Sequence, residues 1–397
     1  MLMETAEARG GLLEVYRVPD PLFVRGCGCE LVDREGRIYL DFTSGIGVNA
    51  LGFGSREVRQ AVEEALASGL IHTSNLFRTA PAEELAAFLV EHSFPSKVFL
   101  CNSGAEAGEA AFKFARRWAR EVGGEEKHQV LSFRGAFHGR LFGTLAATDR
   151  PDYRAPFEPL MPGVQFLPLE LRAVEAAISR ERTAAVVLEP IQGEGGIRPV
   201  PAGFLQGLRE LCTRHRVALI LDEIQCGVGR TGRLWAHQHA GVTPDILTAA
   251  KPLAGGFPMG AVLVSPEIAT AIRPGDHGTT FGGGPLISSV ALAVLRAVLA
   301  PGFLEAVSER GEELERGLRE LQAMHPGRIR EVRGVGLMLG MELEGPVGDL
   351  VSRAREEGLL LVGAGPTVLR FLPPLIVSRD EVARGVEILG RVLGESP

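Results

Sequence analysis

Lysine is rare in this chain, supplying four of its 42 lysine and arginine residues, and one of the four stands where an amine could do covalent chemistry. The run Pro244-Asp-Ile-Leu-Thr-Ala-Ala-Lys251-Pro-Leu-Ala-Gly-Gly256 reads as a short apolar strand that ends on Lys251 and breaks into a Gly/Pro loop. An amine attacks a carbonyl only when unprotonated, and partial burial at a strand end favours that neutral form. Lys97 beside Pro95 and Ser96, Lys113 within an amphipathic pattern, and Lys127 after Glu125 and Glu126 read instead as solvated ammonium groups. Asp222 closes the apolar run 217–221, a depth at which a carboxylate needs a cationic or hydrogen-bonding partner. Ser103-Gly-Ala-Glu-Ala-Gly-Glu109 follows another apolar run and opens a helix reaching about Arg120, whose free first-turn N–H groups offer an anion cradle. Taken singly, each has a plainer reading: a snorkelling surface lysine, a structural ion pair, a simple helix N-cap.

Their shared context changes that reading. From about residue 98 to 265, short β-rich runs alternate with helical patterns, as in a mostly parallel sheet covered by helices. The candidate strands are 98–101, 130–133, 185–188, 218–221, 246–249 and 261–264. Ligands of such sheets collect at the carboxyl ends of the strands. Those ends carry Asn102-Ser-Gly104, Arg134-Gly-Ala-Phe-His-Gly-Arg140, Glu189-Pro-Ile-Gln192, Asp222-Glu-Ile-Gln225 and Lys251. Asp222 and Lys251 lie 251 − 222 = 29 residues apart, one strand–helix–strand unit, which places them at neighbouring strand ends. Outside this block, 23–42 alternates like an antiparallel hairpin, 303–323 and 380–393 read as amphipathic helices, and 337–343 and 369–371 as strands. The expected organisation is a large domain over 55–287, with 1–54 and 288–397 joining in a smaller one.

A phosphate cradle, a buried acid and a reactive lysine on one sheet edge are what pyridoxal 5'-phosphate requires: its aldehyde bonds to the lysine, its phosphate rests on the helix, and the carboxylate keeps the pyridine nitrogen protonated. The chain resembles the class III (subgroup II) aminotransferases, and within them the acetylornithine type. The likeness runs through Leu40-Asp-Phe-Thr-Ser-Gly-Ile-Gly-Val-Asn49, Asn102-Ser-Gly-Ala-Glu-Ala107, Phe137-His-Gly-Arg140, Glu189-Pro-Ile-Gln-Gly-Glu-Gly-Gly196, Leu221-Asp-Glu-Ile-Gln-Cys-Gly-Val-Gly-Arg-Thr-Gly232, Lys251, Gly278-Thr-Thr-Phe-Gly-Gly283 and Arg370-Phe-Leu-Pro-Pro374. The resemblance implies an α/β protein of the fold type I pyridoxal-phosphate transferases, with a large, mostly parallel sheet and a smaller α/β domain built from both chain ends. It implies cofactor-binding roles for Ser103, Gly104, Ala105, Phe137, Asp222, Gln225 and Lys251, with Thr280 reaching the phosphate of the neighbouring subunit in a homodimer. Catalysis would rest on Lys251 and Asp222. Arg140, Glu194, Thr279 and Arg370 would contact substrate, Glu194 masking Arg370 in one half-reaction and releasing it in the other. The implied reaction moves the terminal amine of N2-acetylornithine, or a similar N-acylated diamino acid, to 2-oxoglutarate. Carrier-linked lysine-biosynthesis, succinylornithine, ornithine and 4-aminobutyrate aminotransferases are the neighbouring possibilities, and an aminomutase the one of different class. Two departures stand out: Gly284 where the family usually has asparagine, and no aromatic near Gly45-Ile46, as in relatives that take N-acylated substrates.

Composition narrows the partners. A net charge of −7 with pI near 5.8 argues against a nucleic-acid surface and leaves arginines free to line a pocket for a small acid. The five cysteines, mostly far apart and odd in number, suit a reducing cytoplasm, and neither Cys27-Gly-Cys29 nor His237-Gln-His239 has the companions of a metal site. The first residues are acidic without an apolar signal core, and no apolar run reaches membrane-spanning length.

Overall fold

The computed structural model describes residues 11–16 and 18–394; residues 1–10 and 17 of the expected N-terminal segment and 395–397 at the other end lie outside the described residues. The segment expected as a hairpin is a three-stranded meander, β1 (Phe23–Cys27), β2 (Glu30–Asp33) and β3 (Ile38–Asp41), all antiparallel. Cys27-Gly28-Cys29 makes the first turn, with Gly28 at φ 57°, a region that favours glycine.

The central sheet uses β4 (Lys97–Cys101), β5 (Gln129–Phe133), β6 (Val164–Leu167), β7 (Thr183–Leu188), β10 (Ala218–Asp222), β11 (Ile246–Ala249) and β12 (Gly260–Val264), with a small ribbon of β8 (Ile191–Gln192) and β9 (Arg198–Pro199) after β7. Its order is β4-β12-β11-β10-β7-β5-β6, parallel except for β12, which runs against both neighbours. Every residue of β7, β10, β11 and β12 is buried, as expected where helices cover both faces and strands carry unbroken apolar runs. Helix α1 (Gly104–Gly123) crosses one face. Ser103 caps it, its Oγ accepting the Glu106 N–H at 3.2 Å, and buried Ala107, Ala110, Ala111, Ala115 and Ala119 let its backbone lie close to the strands.

Helices α2 (Pro285–Val298) and α3 (Phe303–Met324) lead into a second sheet made of β13 (Ile329–Val335), β14 (Met338–Leu343), β16 (Val362–Gly363) and β17 (Val368–Phe371), in the order β13-β14-β17-β16. Strand β15 (Leu359–Leu360) leaves this region to pair in parallel with β3, Leu40 against Leu359, so the two ends of the chain share a sheet. Helix α4 (Arg379–Gly394) closes the chain against α3. Among the described residues no single helix is long and apolar enough to cross a membrane.

Two local expectations need correction. The strand before Lys251 stops at Ala249, and Lys251 opens a single 3-10 turn, Lys251–Ala254, because Pro252 supplies no N–H for further pairing. Lys127 is no solvated ammonium: it is 1% exposed, and its Nζ donates to the Arg180 carbonyl at 2.6 Å. Flanking glutamates mislead here, since burial follows from the chain's return off α1 into β5.

Candidate active site

A cavity of about 380 Å³ opens at the carboxyl ends of β4, β5, β7, β10 and β11, lined by Asp222 at the end of β10 and by the segments that follow each strand, Lys251 among them. Burial draws the Lys251 amine down from its ordinary value to about 8, and the guanidinium of Arg370 pushes the same way. Near neutral pH this amine therefore has an appreciable unprotonated fraction, which a solvated lysine lacks.

Asp222 is 5% exposed, and the structure supplies the partners its depth demands. His138 Nδ1 lies 2.7 Å from Oδ2, and Oδ1 accepts the Ile224 N–H at 3.1 Å and the Thr248 hydroxyl at 3.3 Å. Burial alone would depress the His138 imidazole, but its bond to Asp222 carries the pKa above the ordinary value. One strand end away, Glu189 takes two backbone N–H groups, Phe137 at 2.9 Å and Gly193 at 3.0 Å. Burial lifts its carboxyl to about 7 against the pull of His138, with Asp222 adding to the rise. Phe137 also lines the cavity, its loop held at Gly135 by Asp149 at 2.8 Å.

Ser103, Gly104 and Ala105 bring the start of α1 to the same cavity, where first-turn N–H groups have no intrahelical acceptor. Gly104 is there for closeness: a Cβ would stand 2.9 Å from Ile224 Cγ2. Arg140 reaches the rim with its guanidinium 3.5 Å from the centre of the Tyr153 ring. Glu194 forms an ion pair with the buried Arg370, and Gln225 Oε1 accepts from the same arginine at 3.3 Å. Burial would raise Glu194, but Arg370 outweighs it and holds the carboxyl below its ordinary value.

Thr279 and Thr280 do not line this cavity. They border a second one of about 770 Å³, beside residues 72–79, with Thr280 exposed. Thr279 is nonetheless one hydrogen bond from the lysine cavity, since Asn102 Nδ2 donates to its Oγ1 at 2.9 Å. Gly284 has ordinary dihedrals, φ −53° and ψ 141°, and caps α2 with no conformational need for glycine.

Every other sequence-derived site residue lines the lysine cavity except Arg370, which comes from β17 of the second sheet and meets it through Glu194. The sequence patterns assign no role to His138, to Glu189, or to Arg150 and Arg333, which donate to the Glu194 and Gly196 carbonyls. The first two follow the strand-end rule that found Asp222 and could have been taken with it. The others come from remote segments, and no local pattern marks them.

The cavity's donor set, a desolvated amine, a helix N-terminus and a buried carboxylate braced by histidine, fits an aldehyde- and phosphate-bearing pyridine. Comparison with known proteins agrees. The family model described as Aminotransferase class-III matches residues 16–393. The mitochondrial acetylornithine aminotransferase of Alnus glutinosa is 49% identical, with 97% of this chain and 86% of that one aligned. Among solved structures, an ornithine aminotransferase from Toxoplasma gondii superposes with a TM-score of 0.93 at 31% identity, covering 98% of this chain and 94% of that one. An N-acetylornithine aminotransferase from Stenotrophomonas maltophilia superposes at 0.83 with 38% identity, covering 95% and 96%.

Proposed function

Because the chain belongs to the class III aminotransferases, which depend on pyridoxal phosphate, we propose that it moves the terminal amine of N2-acetylornithine, or a similar N-acylated diamino acid, to 2-oxoglutarate, giving the semialdehyde and glutamate. The observation that carries this reading is the Glu194–Arg370 pair beside Lys251. A donor whose reacting carbon bears no carboxylate needs a neutral pocket there, and an acceptor whose reacting carbon does bear one needs a free guanidinium. One ion pair that closes and opens meets both demands.

Pyridoxal phosphate, when bound, supplies a carbonyl that exchanges with amines and a ring that accepts the electron pair released at the substrate carbon. Lys251 would hold it and then, as a neutral amine, take the proton from the substrate carbon and return it to the carbon that bore the aldehyde, two atoms along. Asp222, oriented by His138, would keep a proton on the ring nitrogen. Phe137 would stack on the ring, Gln225 would lie near its hydroxyl, and Ser103, Gly104 and Ala105 would hold the phosphate. Arg140, steadied by Tyr153, would take the donor's α-carboxylate by a two-pronged contact and later the distal carboxylate of glutamate.

A homodimer completes the proposal. Leu76 and Phe77, 87% and 71% exposed, line the second cavity, and Phe281, 67% exposed, packs beside it against His72, an apolar display of the kind that marks an interaction face. A partner subunit laid on this face would receive Thr280, and Thr279 with it, at its own cofactor. The absence of a metal or nucleic-acid role stays part of the reading, as does the cytoplasm.

A panel of amine donors, scored by glutamate formed from 2-oxoglutarate, tests the assignment. N2-acetylornithine should exceed ornithine, 4-aminobutyrate and succinylornithine in kcat/KM. A preference for free ornithine would replace the proposed donor, and turnover without any external acceptor would favour an aminomutase.

A further inference from the structure

Glu194 can work as a switch only if its side chain moves while the backbone carrying it stays put. It sits at the tip of the β8–β9 ribbon, in a loop of three glycines, Gly193, Gly195 and Gly196, that has little stiffness of its own. We propose that Arg333 on β13 is a positioning residue for this switch, anchoring the Glu194 loop to the same sheet that carries Arg370. The proposal rests on the Glu194–Arg370 reading and deepens it.

The register makes the case. Arg333 pairs with Gly340 on β14, and Gly340 pairs in turn with Arg370 on β17. Residues directly opposite in antiparallel strands present their side chains on one face, so the two arginines stand about 10 Å apart on either side of a glycine. The loop lies across that glycine: a Cβ on Gly340 would stand 2.9 Å from the Ile197 Cβ. At one end Glu194 meets Arg370. At the other, Arg333 Nη2 donates to the Gly196 carbonyl at 2.6 Å, and its Nε to Gly196 and Ile197 carbonyls at 2.9 and 3.1 Å. Glu342 holds the rest of the guanidinium at 2.5 Å and Glu331 at 2.6 Å.

The loop needs such a hold. Ile197 is fully buried at φ 50°, a left-handed conformation that a β-branched residue resists, and Gly196 beside it is at φ 103°. Two further groups pin the same loop: Gly193 N–H donates to Glu189, and Arg150 donates to the Glu194 carbonyl. Held by the side chains of Arg333, Glu189 and Arg150, the backbone keeps its place and the Glu194 carboxylate swings alone.

Single-turnover spectra of the holoenzyme, run separately with N2-acetylornithine and with glutamate, read the outcome as a ratio of two rates. Arg333→Ala should slow the acetylornithine half about tenfold relative to the glutamate half, in the direction of Glu194→Ala. Arg333→Lys should fall between, because one ammonium cannot hold both carbonyls and Glu342 together. Gly340→Ala, which displaces Ile197 without touching a charge, should skew the ratio the same way. Arg319→Ala, on α3 and paired with Glu315, should leave the ratio unchanged. Equal losses in both halves, or an unchanged ratio in Arg333→Ala and Arg333→Lys, would overturn the role of Arg333 if Glu194→Ala itself skews the ratio. If Glu194→Ala does not, the switch fails and this inference with it.

Discussion

The Lys251 amine titrates near 8 because the fold removes it from water, so its reactivity should follow that value and not the 10.5 of a free lysine. Enzyme stripped of cofactor is expected to recombine with pyridoxal phosphate at a rate that rises with pH and levels off above about 8; stopped-flow absorbance checks this. Lys251→Ala should lose both the visible band of the lysine-bound cofactor and nearly all turnover. Lys127 shares the lowered value without sharing the chemistry, so there the shift appears as stability. Its folded pKa of about 8 lies below the 10.5 of the unfolded chain, so between those values the unfolded state binds more protons. The lysine's contribution is therefore greatest above pH 10.5 and is lost as pH falls through 8. Thermal melts should show the wild type gaining on Lys127→Met as pH is raised from 8 towards 10.5. A constant gap would mean that the buried amine does not titrate as described.

Glycine decides how closely the elements approach. A Cβ on Gly282 would stand 2.4 Å from the Leu100 carbonyl and 2.7 Å from the Cys101 Cα, both backbone atoms that cannot step aside. Gly282→Ala should therefore lift the Thr279–Thr280 loop off β4. At roughly 1–3 kcal/mol for an overpacked contact, cofactor affinity should weaken about tenfold to a hundredfold by equilibrium dialysis. Gly203→Ala, with open space around it and away from this face, should bind normally. The strands of the central sheet were readable because fully buried strands carry unbroken apolar runs, and their ends gave Lys251, Asp222 and the Phe137 loop together. Strand β6 was not found, since four residues with one buried side chain make no distinct run. Nor could sequence reveal that β12 runs backwards, because an apolar run reads the same in either direction. Arg333 lay beyond reach for another reason: its partners at Gly196 and Ile197 are backbone carbonyls, which every residue possesses.

At the scale of the whole molecule, the proposed dimer makes a combinatorial prediction. Each site would use its own Lys251 and the neighbour's Thr280, so Lys251→Ala and Thr280→Arg should each inactivate the enzyme for a different reason. Unfolded together and refolded as an equal mixture, the two should recover about a quarter of the wild-type sites, because half the dimers are hybrids with one intact site each. No recovery in hybrids confirmed by mass spectrometry would place Thr280 outside the shared site. The scarcity of lysine has a consequence of its own at this scale. One lysine is committed to the cavity and another is sealed beneath α1, so only Lys97 and Lys113 offer exposed side-chain amines. To an acylating dye or an activated resin the lysine side chains offer almost nothing, and the enzyme presents only two of them for tethering, with its catalytic amine shielded by the cofactor it would carry.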